Sequence, residues 1–467
     1  MAELWDVAVV GAGTAGIPAA LFAAGRGARV ILVEAADVIG GTLHLSNGSM
    51  GAAASRLQAA RGIADSPDEH FDNCIRLNRG TGDPGKLRLW IDNAADTLAW
   101  LLDNGLAMDE KQPEFNPATD PYDRPRVHTA VRGGLSYLEC LSPLLDTAVA
   151  EGRIDLRLST RMTDLLTDDK GGVRGLRATS ADGASFEIAA KNVVLASGGY
   201  SQSAKLWREL HNLPRRVYAY PHSNGDGLLA ARAIGARVAH AEHYLPTVGG
   251  TADADVPNKY WIQTLNSPRA RPPWEICVNL DGARFMTEDR QGNDRRQRIL
   301  RGQREQSYWI IYDERIRREA PPLFMLPEHK VERMFRYHED FQRAASIEAL
   351  ARACGLDAAA LKVTIDRYNA GQAVGADELE REFLPAPIAE PPFYAVKHHG
   401  IGIITFGGLV ADDRLNVLGA DGPPIPGLYA AGEVLGAGMY GNAFLGGMMV
   451  AGALTFGRLL GERILEW

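Results

Sequence analysis

Residues 7–16 read VAVVGAGTAG, and this stretch decides the fold. Val7 to Val10 is a short, wholly apolar run of the kind a central parallel strand shows, and Gly11, Gly13 and Gly16 follow it at once in the spacing GxGxxG. Ala15 to Arg26 then reads as a helix of small side chains, and Val30 to Val33 as a second strand ending in Glu34. A strand, turn, helix and strand closed by an acid about 20 residues after the glycines forms a dinucleotide-binding unit. Gly11 permits the tight turn, Gly13 lets backbone approach a pyrophosphate, and Gly16 lets helix and strand pack closely. The helix start at Ala15 offers unpaired N–H groups to phosphates, and Glu34 accepts hydrogen bonds from a ribose diol. A second GxGxxG, Gly436 to Gly441, has no such unit around it. One dinucleotide fold is therefore expected, and no second one for a nicotinamide.

Outward from this motif, the 467 residues would divide into about three units by length alone. With 46% apolar and 23% charged residues the chain is of ordinary globular composition, which excludes wholesale disorder and a polytopic membrane protein. Its 50 glycines are an excess, and with no low-complexity run to absorb them they imply many sharp turns or close backbone approaches to a ligand. A net charge of -8 repels nucleic acid and acidic membrane surfaces. Cys74, Cys140, Cys277 and Cys354 form neither a CxxC pair nor a disulfide framework, and no metal site is expected. No leader or membrane span is legible, so a cytoplasmic location is expected.

Ile154 to Leu158, Met162 to Leu166, Val173 to Ala178 and Phe186 to Ile188 read as short strands of an antiparallel sheet, with the chain returning to the parallel sheet at Val193 to Ala196. Residues 242–385 change style, with clusters of Arg, Pro, Trp and Tyr and a helix over Ile347 to Asn369. They read as an inserted domain. The glycine-rich style resumes afterwards and closes on a long helix from about Gly446 to Ile464. The expected fold is α/β, with a discontinuous nucleotide domain (1–241 and 386–467) and an inserted α+β cap (242–385).

The motifs resemble those of the flavoprotein family of fumarate reductases, succinate dehydrogenase flavoprotein subunits and 3-ketosteroid dehydrogenases. The matching stretches are VVGAGTAG at 9–16, QAARGIADSPDEHF at 58–71, VVLASGGY at 193–200, SNGDGLLAARAIGA at 223–236, NLDGARFMTED at 279–289, PPFYAVK at 391–397 and IPGLYAAGEV at 425–434. The resemblance implies a Rossmann-like FAD-binding domain, a cap closing over the isoalloxazine, and hydride transfer between flavin N5 and a substrate carbon. It places Gly11, Gly13, Ala15, Gly16 and Glu34 at the ADP half and the Gly40-Gly41-Thr42 turn with Ser46 and Gly48 along the pyrophosphate and ring. Met162, Ser197 and Gly198 fall beside the nucleotide, Asn224 and Asp226 at the edge of the site, and Glu433 on ribityl or ribose hydroxyls. The histidine that attaches to flavin in succinate dehydrogenases aligns with Thr42, with His44 displaced by two, so a non-covalent FAD is expected.

Departures from the family speak to the substrate. The dicarboxylate-binding arginine of the fumarate reductases aligns with Phe444, their histidines with Ile404 and near Thr247, and their proton-donating arginine with Gly292. Removing one partner of a buried carboxylate costs about 3–5 kcal/mol, so losing four disfavours a C4-dicarboxylate. Phe444 and Ile404, with His44 nearby, are the expected pocket walls. By resemblance to the ketosteroid dehydrogenases the carbonyl would be held by the N–H of Gly447 and by a hydroxyl, for which Tyr440 is the candidate. Tyr244, His399 and Arg290 are the alternatives for the base. The arginine-rich run Arg284 to Arg304 reads mostly as a solvated helix face. The expected activity is an FAD-dependent desaturation alpha,beta to a ketone in an apolar, cyclic substrate, with an unidentified electron acceptor. The alternatives are a reductase of an unsaturated acid and an electron-transfer subunit of a complex.

Overall fold

The computed structural model describes residues 3–116, 119–253, 256, 259–265, 267, 268, 271–290 and 292–466. The strand Leu4–Val10 pairs in parallel with Val30–Val33 on one side and with Ser185–Leu195 on the other, and Val7 to Val10 and Val30 to Val33 are all buried. Both faces of these strands are covered, which is why their sequence is continuously apolar rather than alternating. The order across this sheet is Asn416–Leu418, Pro424–Ala430, Ser185–Leu195, Leu4–Val10, Val30–Val33, Ile154–Arg157.

Two sequence readings change here. Ile154–Arg157 does not belong to the antiparallel insert; it pairs in parallel with Val30–Val33 at the sheet edge. Phe186 to Ile188 and Val193 to Ala196 are not two strands but the two halves of Ser185–Leu195. Its first half pairs antiparallel with Val173–Thr179 and its second runs parallel beside Leu4–Val10. The burial pattern along it turns from alternating to wholly buried at Val193, so the same strand faces solvent at one end and the core at the other.

The helix Gly16–Gly25 crosses the last helix, Met448–Arg463, at a seam of small residues. A methyl group at Gly457 would lie 2.1 Å from the Ala15 carbonyl oxygen, and one at Gly461 would lie 2.5 Å from that of Ala19. Backbones approach this closely only without side chains between them.

The second sheet has the order Tyr260–Ile262, Thr247–Ala252, Phe393–Ile401, Ser307–Asp313, Ile276–Asn279, with Phe341–Ala344 also on Phe393–Ile401. It has its own core, including Ile276, Val278, Ile311, Phe341, Leu361 and Val396. Its central strand, Phe393–Ile401, comes from beyond residue 385. The two crossings between the sheets meet, because Thr247 is paired with Ile401. The helix expected over 347–369 is two helices, Ile347–Ala353 and Ala358–Val374. Gly355 at φ +68 breaks the run, and the Asp357 side chain accepts from the Ala360 N–H to start the second helix. Gly436 to Gly441 brackets one short 3-10 turn, Ala437–Tyr440, as expected of a chance match to the glycine spacing. The four cysteines are unpaired, and no helix among the described residues is long and apolar enough to cross a membrane.

Candidate active site

A cavity of about 700 Å³ opens at the carboxyl ends of the parallel strands, where Val10, Val33 and Ala196 border it, and continues to the second sheet at Thr247, Trp261 and Ile262. Ligands of open parallel sheets bind at this edge.

At the nucleotide end Gly11, Gly13, Ala15, Glu34, Gly41, Thr42, Ser46, Met162, Ser197, Gly198, Asp226 and Glu433 all border the cavity. Gly11 has φ +101, and a methyl group there would sit 2.4 Å from the Ala196 carbonyl oxygen. Gly16 does not touch the cavity; it lets the helix settle on the Gly11 carbonyl, 1.8 Å from where a Cβ would be. Gly13 has no neighbour closer than 3.9 Å to that point, which leaves room for a ligand against its backbone. The Glu34 carboxylate accepts the N–H groups of Ala12 at 2.8 Å and Ala36 at 2.9 Å, which fixes it at the strand end. Ser197 Oγ is buried without a partner. Glu433 accepts the Thr405 N–H and hydroxyl at 2.8 and 2.9 Å, and burial pushes its carboxyl up against those bonds. Asp226 is ion-paired with Arg161, while burial raises its carboxyl. An open helix N-terminus, a bare glycine backbone, an orphan hydroxyl and a fixed acceptor suit an adenine dinucleotide with its phosphates at the Gly16–Gly25 helix. Gly40, Gly48 and Asn224 lie off the cavity. Gly40 and Gly48 shape the loop from behind, packed on Leu138 and Gly133.

At the other end Ile403, Ile404, Phe444, Leu445, Gly447 and Met448 form an apolar wall. The Tyr122 hydroxyl donates to the Gly446 carbonyl at 3.0 Å, and the Gly447 carbonyl accepts from the Gly51 N–H at 3.2 Å. The trans peptide between Gly446 and Gly447 therefore carries its N–H on the side away from Tyr122. Across from this wall stand Tyr218, Trp261, Ile262, Met325, Asn293 and Gln297. The rings of Tyr218 and Trp261 are 5.1 Å apart. No lysine or arginine borders the cavity among the described residues.

The residues expected to do chemistry are mostly elsewhere. Tyr440 is buried behind the wall with its ring 5.3 Å from Trp90, and its hydroxyl, which has no partner, abuts Gly452. Tyr244 packs among Trp207, His211 and Phe406. His399 lies inside the second sheet, bonded to Ser307 Oγ at 2.9 Å and Asp340 at 3.0 Å. Arg290 is on the surface beside Glu380 and Glu382. His44 is exposed and does not border the cavity, and its Nε2 is 2.8 Å from the Ile39 carbonyl. The arginine run is only partly solvated: Arg284 is buried in an ion-pair network with Glu288 and Asp377.

Tyr218, Tyr220, His222, Trp261, Asn293, Gln297 and Met325 were not anticipated. Tyr218, Ala219, Tyr220, His222 and Ser223 border the cavity from one irregular segment, YAYPHS, that carries no regular period in the sequence. Asn293 and Gln297 are four apart on the helix Asn293–Arg301, the two uncharged polar side chains in a run of arginines. Away from the cavity, His240, Glu242 and His243 bring ligand atoms within 4.8 Å of one another at the first crossing into the second sheet.

A family model described as FAD binding domain matches residues 6–450. The chain is 31% identical over 470 residues to a probable fumarate reductase, Ifc3, of Shewanella frigidimarina strain NCIMB 400, covering 98% of this chain and 74% of that protein. Its structure is similar to the open conformation of a flavocytochrome c3 fumarate reductase, with TM-score 0.76 and 29% identity over 99% of this chain and 78% of that one. It is also similar to a 3-ketosteroid-delta4-(5alpha)-dehydrogenase from Rhodococcus jostii RHA1, with TM-score 0.73 and 26% identity over 98% and 96% of the two chains.

Proposed function

The chain belongs to the FAD-binding domain family and is an FAD-dependent oxidoreductase acting on carbon–carbon bonds, and from that premise we propose that its substrate is an uncharged, apolar, cyclic ketone or enone. The observation that carries this reading is the cavity wall: Phe444, Ile404, Ile403 and Trp261 with no lysine or arginine among the described lining residues. A carboxylate brought here would lose its hydration without gaining a counter-ion. A hydrocarbon ring loses nothing and gains about 25 cal/mol for each Å² buried.

When bound, FAD supplies the hydride acceptor for desaturation and the donor for the reverse reduction. The Gly447 N–H donates to the substrate carbonyl oxygen and stabilises negative charge that develops there. Tyr122 holds that peptide in orientation through the Gly446 carbonyl. The proton at the alpha carbon is exchanged by Tyr218. Among the described titratable groups bordering the cavity, Glu34, Asp226 and Glu433 are engaged with protein donors, His222 stands 3.5 Å from Arg161, and Tyr220 is near Glu34. Tyr218 alone of these packs against Trp261 of the second sheet, and its phenol donates the proton in the reducing direction and takes it back, as phenolate, in the oxidising one. An acceptor or donor outside this chain exchanges electrons with the flavin, since no second dinucleotide unit is legible.

The test is anaerobic flavin bleaching with cyclic ketones, 3-ketosteroids and succinate, and reoxidation of the reduced flavin by the matching enones and fumarate. Cyclic ketones or enones are expected to react; reaction with succinate or fumarate alone overturns the reading. Tyr218→Phe is expected to slow the flavin half-reaction by about 10²–10⁴-fold with FAD content unchanged. An unaltered rate removes Tyr218 from the chemistry.

A further inference from the structure

Two polar atoms at the cap end of the cavity are buried without a hydrogen-bond partner: Oε1 of Gln297, a residue only 2% exposed, and Oγ1 of Thr247. Both residues border the cavity, one from the helix Asn293–Arg301 and the other from the strand Thr247–Ala252 that packs against it. Buried carboxamides and hydroxyls are almost always satisfied by protein or water, so two orphans on residues that border one cavity mark a place where a ligand group belongs. Around them the wall is apolar: Trp261, Ile262 and Met325. The charged neighbours on the helix are turned elsewhere, since Arg298 pairs with Asp294 and bonds the Asn442 carbonyl.

We propose that Gln297 and Thr247 form a neutral subsite that binds a hydroxyl group on the substrate, remote from the carbonyl held at Gly447. A hydroxyl satisfies both atoms at once, donating to Gln297 Oε1 and accepting from Thr247 Oγ1. A carboxylate has no proton for Oε1, and a plain hydrocarbon leaves both orphans buried. This assignment rests on the reading of the substrate as an uncharged ring ketone, and it narrows that class to ketones hydroxylated at the far end.

The test uses the FAD-loaded enzyme and two probes, 4-(4-hydroxycyclohexyl)cyclohexanone and 4-cyclohexylcyclohexanone, with binding read from the perturbation of the flavin absorption band. The wild type is expected to bind the hydroxylated probe about 10-fold or more tightly than its counterpart, the effect of one to two net hydrogen bonds. Gln297→Leu is expected to bring the ratio to about one while leaving affinity for the unhydroxylated probe within about threefold, and Gln297→Glu, which keeps an acceptor, to retain the preference. A role confined to folding would weaken both probes together. Equal binding of the two probes by the wild type, or a preference that survives in both Gln297→Leu and Thr247→Val, overturns the subsite and leaves the ketone reading standing. Absence of any perturbation by either probe, with succinate or fumarate still active, overturns the ketone reading and the subsite with it.

Discussion

Tyr440 illustrates how far a single residue can be read from a sequence. Its place in a glycine-rich loop three residues before Ala443 suggested a hydroxyl aimed at the substrate, yet the ring turns inward on Trp90 and Phe456 and the hydroxyl is left buried without a partner. Burial pushes this phenol far above its ordinary range, so it stays a neutral phenol at neutral pH. Tyr440→Phe removes a buried, unbonded hydroxyl and is expected to leave the rate within about twofold while raising stability by about 1–3 kcal/mol, measured by turnover and by thermal melting. A rate loss of about 100-fold would return the hydroxyl to the mechanism. Gly11, Gly13 and Glu34 were legible as bordering one cavity because their placement is local: they belong to one strand, turn, helix and strand, and GxGxxG specifies that geometry. Tyr218 and Gln297 were not, because each reaches the cavity through long-range packing that neighbouring residues do not encode.

Among the elements, the strands Leu4–Val10 and Val30–Val33 and the first helix are legible in apolar runs and small residues, whereas Ile154–Arg157 reads as antiparallel and Ser185–Leu195 as two strands, because the outer half of the latter alternates and its inner half does not. The arginine-rich run reads mostly as a solvated face because a sequence cannot disclose that Glu288 and Asp377 close over Arg284. The seam between the helices Gly16–Gly25 and Met448–Arg463 gives an element-level prediction. Gly457→Ala places a methyl group 2.1 Å from the Ala15 carbonyl, which must push the helices apart. The expected cost is about 1–3 kcal/mol, with weaker FAD retention because Ala15 borders the cavity, read by thermal melting and by flavin loss on dialysis. Gly25→Ala is the contrast, since nothing lies within 4 Å of a methyl group there. It is expected to be neutral or to stabilise by up to about 1 kcal/mol. Equal losses in the two variants would mean that the seam is not tight.

For the molecule as a whole, acid sensitivity follows from histidines buried in both parts of the fold. Burial lowers His70 and His398 to about 3 and His128 to about 4, and all three are fully enclosed. The unfolded chain takes up protons on these imidazoles below about pH 6.5 while the native chain does not, so stability is complete above that pH. As the pH falls each imidazole withdraws about 1.4 kcal/mol per unit, down to its folded value near 4 or 3. The melting temperature of the FAD-loaded protein is expected to be level from about pH 6.5 to 7.5 and to fall steeply towards about pH 4.5. A level profile down to about pH 5 would contradict enclosed, neutral imidazoles. The pairing of Thr247 with Ile401 has a consequence of a different kind. The polypeptide enters the second sheet and leaves it through paired residues, so everything between them is a cassette with both ends at one point. A lineage can exchange that cassette, and with it Trp261, Gln297 and Met325 of the cavity wall, without disturbing the glycine turn at Gly11. Evolution of new specificities on this scaffold then needs only a splice at one doorway.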